Sequence, residues 1–177
     1  MTTPLIMLML LTGPWLLLRL WPGGKLSSLA GETAGRWGLS LTFLFAASGH
    51  FLMDDTMAQM LPPWVPARVP LVWASGVLEV AIALALLNPR ARQAAAWTAL
   101  AVLVAFYPAN VYAAWQQVPM GGHAWGLSYL WVRTPLQLLL LAWTWRFGLG
   151  RPLPWRPGQP PEAAAPAGRT GAPLRRP

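Results

Sequence analysis

Five apolar stretches, each about long enough to cross a lipid bilayer, dominate the sequence. An α-helix rises about 1.5 Å per residue, so a span of the hydrocarbon core needs roughly 20 apolar residues. The predicted spans cover Pro4–Trp21, Trp37–Met53, Val69–Leu87, Ala94–Trp115 and Leu127–Phe147. With their loops and a tail they account for the whole chain of 177 residues, which leaves no room for a separate soluble domain. The sequence therefore predicts an all-α, polytopic membrane helix bundle.

The composition agrees with a membrane protein. Charged residues make up only 10% of the chain and the mean hydropathy is +0.43, whereas soluble domains carry about 25% charged residues. The sequence has no cysteine, which excludes thiolate catalysis, disulfide exchange and cysteine-bound clusters. A redox role would need a bound cofactor, and we expect none to be attached covalently.

The distribution of basic residues predicts the orientation of the chain. The first loop, the third loop and the C-terminal segment hold eleven of the 13 Lys and Arg residues, and such an excess is typical of cytoplasmic segments. Only Arg68 and Arg133 fall on the opposite side. We therefore predict that the N-terminus lies outside and the C-terminus in the cytoplasm. Because the basic residues follow the loops rather than one helix face, the formal net charge of +8 does not indicate nucleic acid binding.

The chain divides into three predicted regions. Residues 1–35 form a transmembrane helix and a cytoplasmic loop, although a signal-peptide cut after Ala30 is the alternative. Residues 36–147 form the membrane bundle, interrupted after its first span by a Pro-rich interfacial segment that contains no continuous helix. Residues 148–177 are rich in Gly, Pro, Ala and Arg without apolar periodicity, which predicts a disordered cytoplasmic tail.

The third span carries a carboxylate near mid-membrane. Glu79 has small neighbours one turn away, including Gly76, so another helix can approach it closely. Arg133 and Gln137 lie four residues apart and share one face of the fifth span. An unpaired charge at this depth costs about 3 kcal/mol on insertion scales, so we predict that Glu79 is either neutral or paired, with Arg133 as the best partner. The pair would either take part in ligand binding or only fix the register of the helices.

Two further polar side chains lie near the outer ends of their spans. His50 closes the second span, and Asn110 follows Pro108 in the fourth, so both are predicted to line one pocket with Glu79. The alternatives are that His50 is a hydrogen-bonded helix-end residue and that Asn110 satisfies the carbonyl group freed by Pro108.

Other patterns favour packing over chemistry. Small residues repeat every four positions in the fourth span and predict a helix-packing seam: Ala101, Ala105, Ala109 and Ala113. Methionines cluster after the second span and predict interfacial packing rather than a metal site: Met53, Met57 and Met60. A haem held by His50 and His123 is the weaker hypothesis, because His123 lies in a Gly-rich loop.

Five motifs occur in an order and spacing that resemble a known family. They are SGHF at Ser48–Phe51, MLPPWVP at Met60–Pro66, LVWASGVLEVAIALALLNPR at Leu71–Arg90, FYPANVYAA at Phe106–Ala114 and LWVRTPLQLLLLAW at Leu130–Trp143. This region, 36–147, resembles the DoxX family, in the DoxD-like group of small bacterial integral membrane proteins. The resemblance implies a four-helix membrane core in the bacterial inner membrane, to which this chain adds one N-terminal transmembrane helix. It carries over five positions to the polar cluster: His50, Glu79, Asn110, Arg133 and Gln137.

The resemblance also implies an association with redox chemistry, since the family is named after a subunit linked to thiosulfate and quinone oxidoreduction. The first hypothesis is a redox accessory protein whose pocket, in the outer half of the bilayer, binds a quinone or another lipophilic molecule. A small-molecule carrier, a structural subunit of a membrane complex and, more weakly, a membrane isomerase or hydrolase are the alternatives. Expected partners are the lipid bilayer, redox-complex subunits or a second copy of the chain; no catalytic residue is assigned.

Overall fold

The computed structural model describes residues 2–20 and 28–151, which form helices and turns without a strand. The α-helices are α1 (Thr2–Leu20), α2 (Ser28–Leu52), α3 (Asp54–Ala58), α4 (Arg68–Leu87), α5 (Arg92–Trp115) and α6 (Leu130–Trp143). A 3₁₀ segment, His123–Tyr129, precedes α6, and a π-helical turn, Thr144–Gly148, follows it. The all-α prediction is confirmed for this part of the chain.

Three helices in the described ranges are long and apolar enough to cross a membrane: α1, α4 and α5. Helices α4 and α5 begin and end within two residues of the predicted spans. Helix α2 begins at Ser28, nine residues before the predicted second span and inside the region predicted as a loop. Helix α6 begins three residues later than predicted and continues into the π-helical turn. The helices are consistent with a membrane protein.

The early start of α2 has a visible cause in its contacts with the end of α6. The indole nitrogen of Trp143 donates a hydrogen bond to the carbonyl of Gly35 at 3.0 Å. Arg146 lies 3.5 Å from the carboxylate of Glu32, which also pairs with Arg36 one turn further along α2 at 3.8 Å. These contacts favour helix in a polar stretch for which apolar periodicity gives no signal.

Glycines let α2 approach both neighbouring helices closely. A side chain at Gly38 would overlap the backbone carbonyl oxygen of Leu11 in α1. A Cβ at Gly76 would lie 2.7 Å from the Cβ of His50, so α4 and α2 meet almost backbone to backbone. Ser40 donates a hydrogen bond of 2.9 Å to the carbonyl of Ala83 across the same interface. Helix α2 therefore lies between α1 and α4.

The alanine seam predicted on α5 is packed at only one end within this chain. Ala113 is fully buried, whereas Ala101 and Ala105 are exposed. Ala95, Ala96 and Ala99 form the buried face in the first half of the helix, so the predicted seam is wrong for that half.

The connection between α2 and α4 contains a short helix. After α2 the chain forms the short helix α3, and Asp54 accepts a hydrogen bond of 2.9 Å from the indole nitrogen of Trp73 in α4. Thus the Pro-rich segment begins with a helical turn. The predicted tail lies largely outside the described residues, since the structure ends at residue 151, and so does the predicted loop at 21–27.

Candidate functional site

A cavity of about 940 Å³ lies at the end of the bundle where α2 and α5 finish and α4 and α6 begin. Its walls are mostly apolar and include Phe43, Phe106 and Leu140. Five polar residues predicted from the sequence all line it: His50, Glu79, Asn110, Arg133 and Gln137. Its volume falls within the range of about 300–1,000 Å³ that is usual for small-molecule sites.

The carboxyl group of Glu79 lies next to His50 rather than Arg133, so the predicted direct pair of Glu79 with Arg133 is wrong. Glu79 Oε2 lies 3.4 Å from His50 Nε2. The close approach of α2 at Gly76, one turn before Glu79, brings His50 beside the carboxylate. Arg133 lies on the wall of the same cavity without an ion pair to Glu79 among the described contacts. Glu79 and Arg133 therefore line the same cavity, but the side chain in contact with Glu79 comes from α2.

His50 is held in one orientation by α4. Its Nδ1 lies 2.9 Å from the carbonyl oxygen of Val72 and 2.9 Å from the hydroxyl of Ser75. Because a carbonyl oxygen only accepts, Nδ1 carries the proton and Nε2 is directed to Glu79. His50 therefore does not present a free Nε2 to a haem iron together with His123.

Arg133 is held by Asn110. The guanidinium Nε donates a hydrogen bond of 3.0 Å to Asn110 Oδ1, and Asn110 Nδ2 donates one of 2.9 Å to the carbonyl of Phe106. The carbonyl that Pro108 frees belongs to residue 104, four positions earlier, so Asn110 does not serve the role considered from the sequence. It links α5 to α6 and orients the guanidinium.

Gln137 lies one turn beyond Arg133 and bridges α6 to α5. Its Nε2 donates a hydrogen bond of 2.6 Å to the carbonyl of Leu103. The side chain is only 4% exposed, so its orientation is set by this single backbone acceptor.

His123 also lines the cavity, although the sequence analysis did not include it among the pocket residues. It is 4% exposed, its Nδ1 donates a hydrogen bond of 2.7 Å to the carbonyl of Met120, and its ring meets Tyr129 edge to face. Burial lowers the pKa of His123 below its usual value, so the ring is neutral near pH 7. Gly121 and Gly122 both have positive φ, and this backbone geometry, which the sequence does not show, folds the loop back over the bundle.

Four buried side-chain polar atoms in the described ranges have no hydrogen-bond partner, and all four belong to residues that line this cavity. They are Glu79 Oε2, His123 Nε2, Arg133 Nη1 and Gln137 Oε1. Leaving such a group unsatisfied costs about 1–3 kcal/mol. Their concentration at one place is characteristic of a site that receives a polar group from outside the chain.

The predicted methionine cluster also borders the cavity. Met53, Met57 and Met60 line it, and Met120 joins them from the loop after α5. No group of three or more His, Asp or Glu side chains in the described ranges is arranged to hold a metal ion. Flexible thioether side chains give one wall of the cavity an adaptable apolar surface.

No curated protein and no solved structure is significantly similar to this chain. A family model does match, over residues 39–148, and its description is Domain of unknown function (DUF8561). Since the match covers more than half of the chain, the protein belongs to the DUF8561 family; the matched region contains the five polar cavity residues predicted from the sequence.

Proposed function

We propose that the protein binds a lipophilic small molecule with a polar, quinone-like head group in the cavity between α2, α4, α5 and α6. The observation that carries the proposal is the set of four unpartnered polar atoms at one apolar-walled cavity. An apolar tail would cover the aromatic and aliphatic walls, and the head group would satisfy the buried polar atoms. The accessory role in redox chemistry rests on the DoxX-like motifs alone.

Two observations support a core of four transmembrane helices preceded by one more. The family match at 39–148 nearly coincides with the region, 36–147, that resembles the DoxX family. Helix α6 and its π-helical turn together cover residues 130–148, a length of about 28 Å at 1.5 Å per residue, which suffices for the hydrocarbon core. In this topology the cavity opens in the outer half of the bilayer.

The absence of cysteine from the sequence permits a direct test of orientation. We expect Gln116→Cys, at the end of α5, to react with a membrane-impermeant maleimide from the outer side of the inner membrane. We expect Pro89→Cys, between α4 and α5, to react only after the membrane is opened, because the basic third loop is cytoplasmic. Both positions are exposed, so the reverse pattern of labelling would show that the orientation is inverted.

Filling the cavity should abolish binding without unfolding the protein. Ala109 lines the cavity, and we expect Ala109→Phe to weaken binding of a decyl-substituted benzoquinone or hydroquinone at least about tenfold, because the added ring occupies ligand space. The measurement is calorimetric titration of the purified full chain in detergent.

The matched control is Ala101→Phe, which places the same ring on an exposed position of the same helix. Its affinity should stay within about twofold of the unmodified chain, as expected for a surface substitution. Equal losses in both variants, or no binding by the unmodified chain, would refute the ligand-binding function. In the latter case the structural-subunit alternative would account better for the bundle.

A further inference from the structure

The hydrogen bonds inside the cavity fix which of its free atoms are donors and which are acceptors. The Leu103 carbonyl can only accept, so Gln137 must direct its amide nitrogen toward it and leave Oε1, an acceptor, unpartnered. The Met120 carbonyl likewise requires the proton of His123 on Nδ1. The remaining His123 Nε2 of the neutral ring is then a second acceptor without a partner.

The other two atoms complete the set. Glu79 Oε2 belongs to a carboxylate whose neighbour is His50 at 3.4 Å, and it takes no hydrogen bond within the described residues. Arg133 Nη1 can only donate, since a guanidinium has no acceptor atom. The hydrogen bonds therefore fix two unpartnered acceptors, Gln137 Oε1 and His123 Nε2, and one donor, Arg133 Nη1.

We infer that the natural ligand is a lipophilic molecule whose head group carries hydroxyl donors, such as a hydroquinone or an alkyl phenol, rather than a head group with carbonyl oxygens alone. A quinone carbonyl can accept from Arg133, but it has no proton to donate and would leave the acceptors of Gln137 and His123 unpaired. A hydroxyl group can donate to one of these acceptors while its oxygen accepts from Arg133 Nη1. The inference rests on the proposed function and specifies the oxidation state of its ligand class.

The spacing of these residues along the chain favours a head group with more than one donor. Arg133 and Gln137 are one turn apart on α6, whereas Glu79 comes from α4 and His123 from the loop before α6. A ring with hydroxyl groups at opposite edges can serve acceptors on different helices. A single hydroxyl group can donate to only one of the two acceptors, and the other would stay buried without a hydrogen bond.

Three probes with the same decyl tail separate the inference from the proposed function: an alkyl hydroquinone, its dimethyl ether and the corresponding benzoquinone. The ether keeps the ring and oxygens of the hydroquinone but has no donor and is not redox-active. We expect the hydroquinone to bind at least about tenfold more tightly than either of the others, since only it pairs the buried acceptors. Because the chain has no cysteine, a reductant can keep the hydroquinone reduced without altering thiol chemistry.

The outcomes are distinct. If none of the three probes binds, the proposed function and the inference both fail. If all three bind with equal affinity, or if the benzoquinone binds best, the cavity is a lipophilic site but the inference about donors is overturned.

Gln137→Met provides a second test, which compares the affinities of two probes for the same variant. It removes the acceptor Oε1 with little change of volume, so the ratio of hydroquinone to ether affinity should fall about fivefold. A purely structural disturbance would weaken both probes equally and leave the ratio unchanged, which would count against the inference. Gln116→Met makes the same change at an exposed glutamine outside the cavity, and its ratio should equal that of the unmodified chain.

Discussion

Replacing Gly38 with alanine is expected to lower the free energy of unfolding by about 2–3 kcal/mol, the upper range for overpacking a close contact. A Cβ at this position would overlap the carbonyl oxygen of Leu11 in α1. That atom belongs to the backbone, so a change of rotamer cannot relieve the overlap and the two helices must separate. Leu11 is fully buried, and the separation would also expose part of the core.

Gly13→Ala is the matched control for this effect. Gly13 also lies within a helix, yet a Cβ there would meet nothing within 4 Å. Alanine loses less backbone entropy than glycine in a helix interior, so this variant should be unchanged or stabilised by up to about 1 kcal/mol. Unfolding titrations in mixed detergent micelles would measure both variants. Equal free energies of unfolding for Gly38→Ala and Gly13→Ala would mean that α1 and α2 do not make close contact at Gly38.

The helix limits that the sequence predicted best are those set by neighbouring prolines. Helix α4 follows a Pro-rich segment and ends at Leu87, two residues before Pro89, so its predicted limits lie within one residue of the observed ones. Helix α2 was predicted nine residues too short because its first turns are stabilised by Trp143 and Arg146, more than one hundred positions away. Local periodicity carries no information about such contacts.

The sequence was sufficient to predict which polar residues line the cavity, but not which of them contacts Glu79. Depth and resemblance brought Glu79, His50 and Arg133 to one cavity, and the structure places all three there. Helical spacing shows which residues share a face, yet it does not show which helix packs against that face. The choice of His50 as the partner of Glu79 depends on how closely Gly76 lets α2 approach.

His123 shows a different limit of sequence reasoning. A glycine pair before a histidine is usually read as a solvent-exposed loop. Here Gly121 and Gly122 both adopt positive φ, and the following 3₁₀ segment carries the imidazole into the cavity. Only the three-dimensional path of the loop distinguishes the two cases.

Replacing His50 with leucine is expected to destabilise the protein by about 1–3 kcal/mol, because it removes the imidazole that lies 3.4 Å from the buried carboxyl group of Glu79. Glu79 is 6% exposed, so water cannot replace the imidazole. His50 also loses its hydrogen bond to Val72. The free energy of unfolding in mixed micelles, compared between His50→Leu and the unmodified chain, measures the effect.

A double-mutant cycle decides which residue Glu79 contacts. Adding Glu79→Leu to His50→Leu removes the buried carboxyl group that has lost its neighbour and should recover stability, with a coupling energy of about 1 kcal/mol or more. The cycle of Glu79→Leu with Arg133→Leu should give a coupling below about 1 kcal/mol, since these residues do not form a direct pair and interact only across the cavity. Larger coupling in the Arg133 cycle would restore the ion pair that the sequence suggested. It would also remove Arg133 Nη1 as the donor available to a ligand, because the guanidinium would then be committed to the carboxylate.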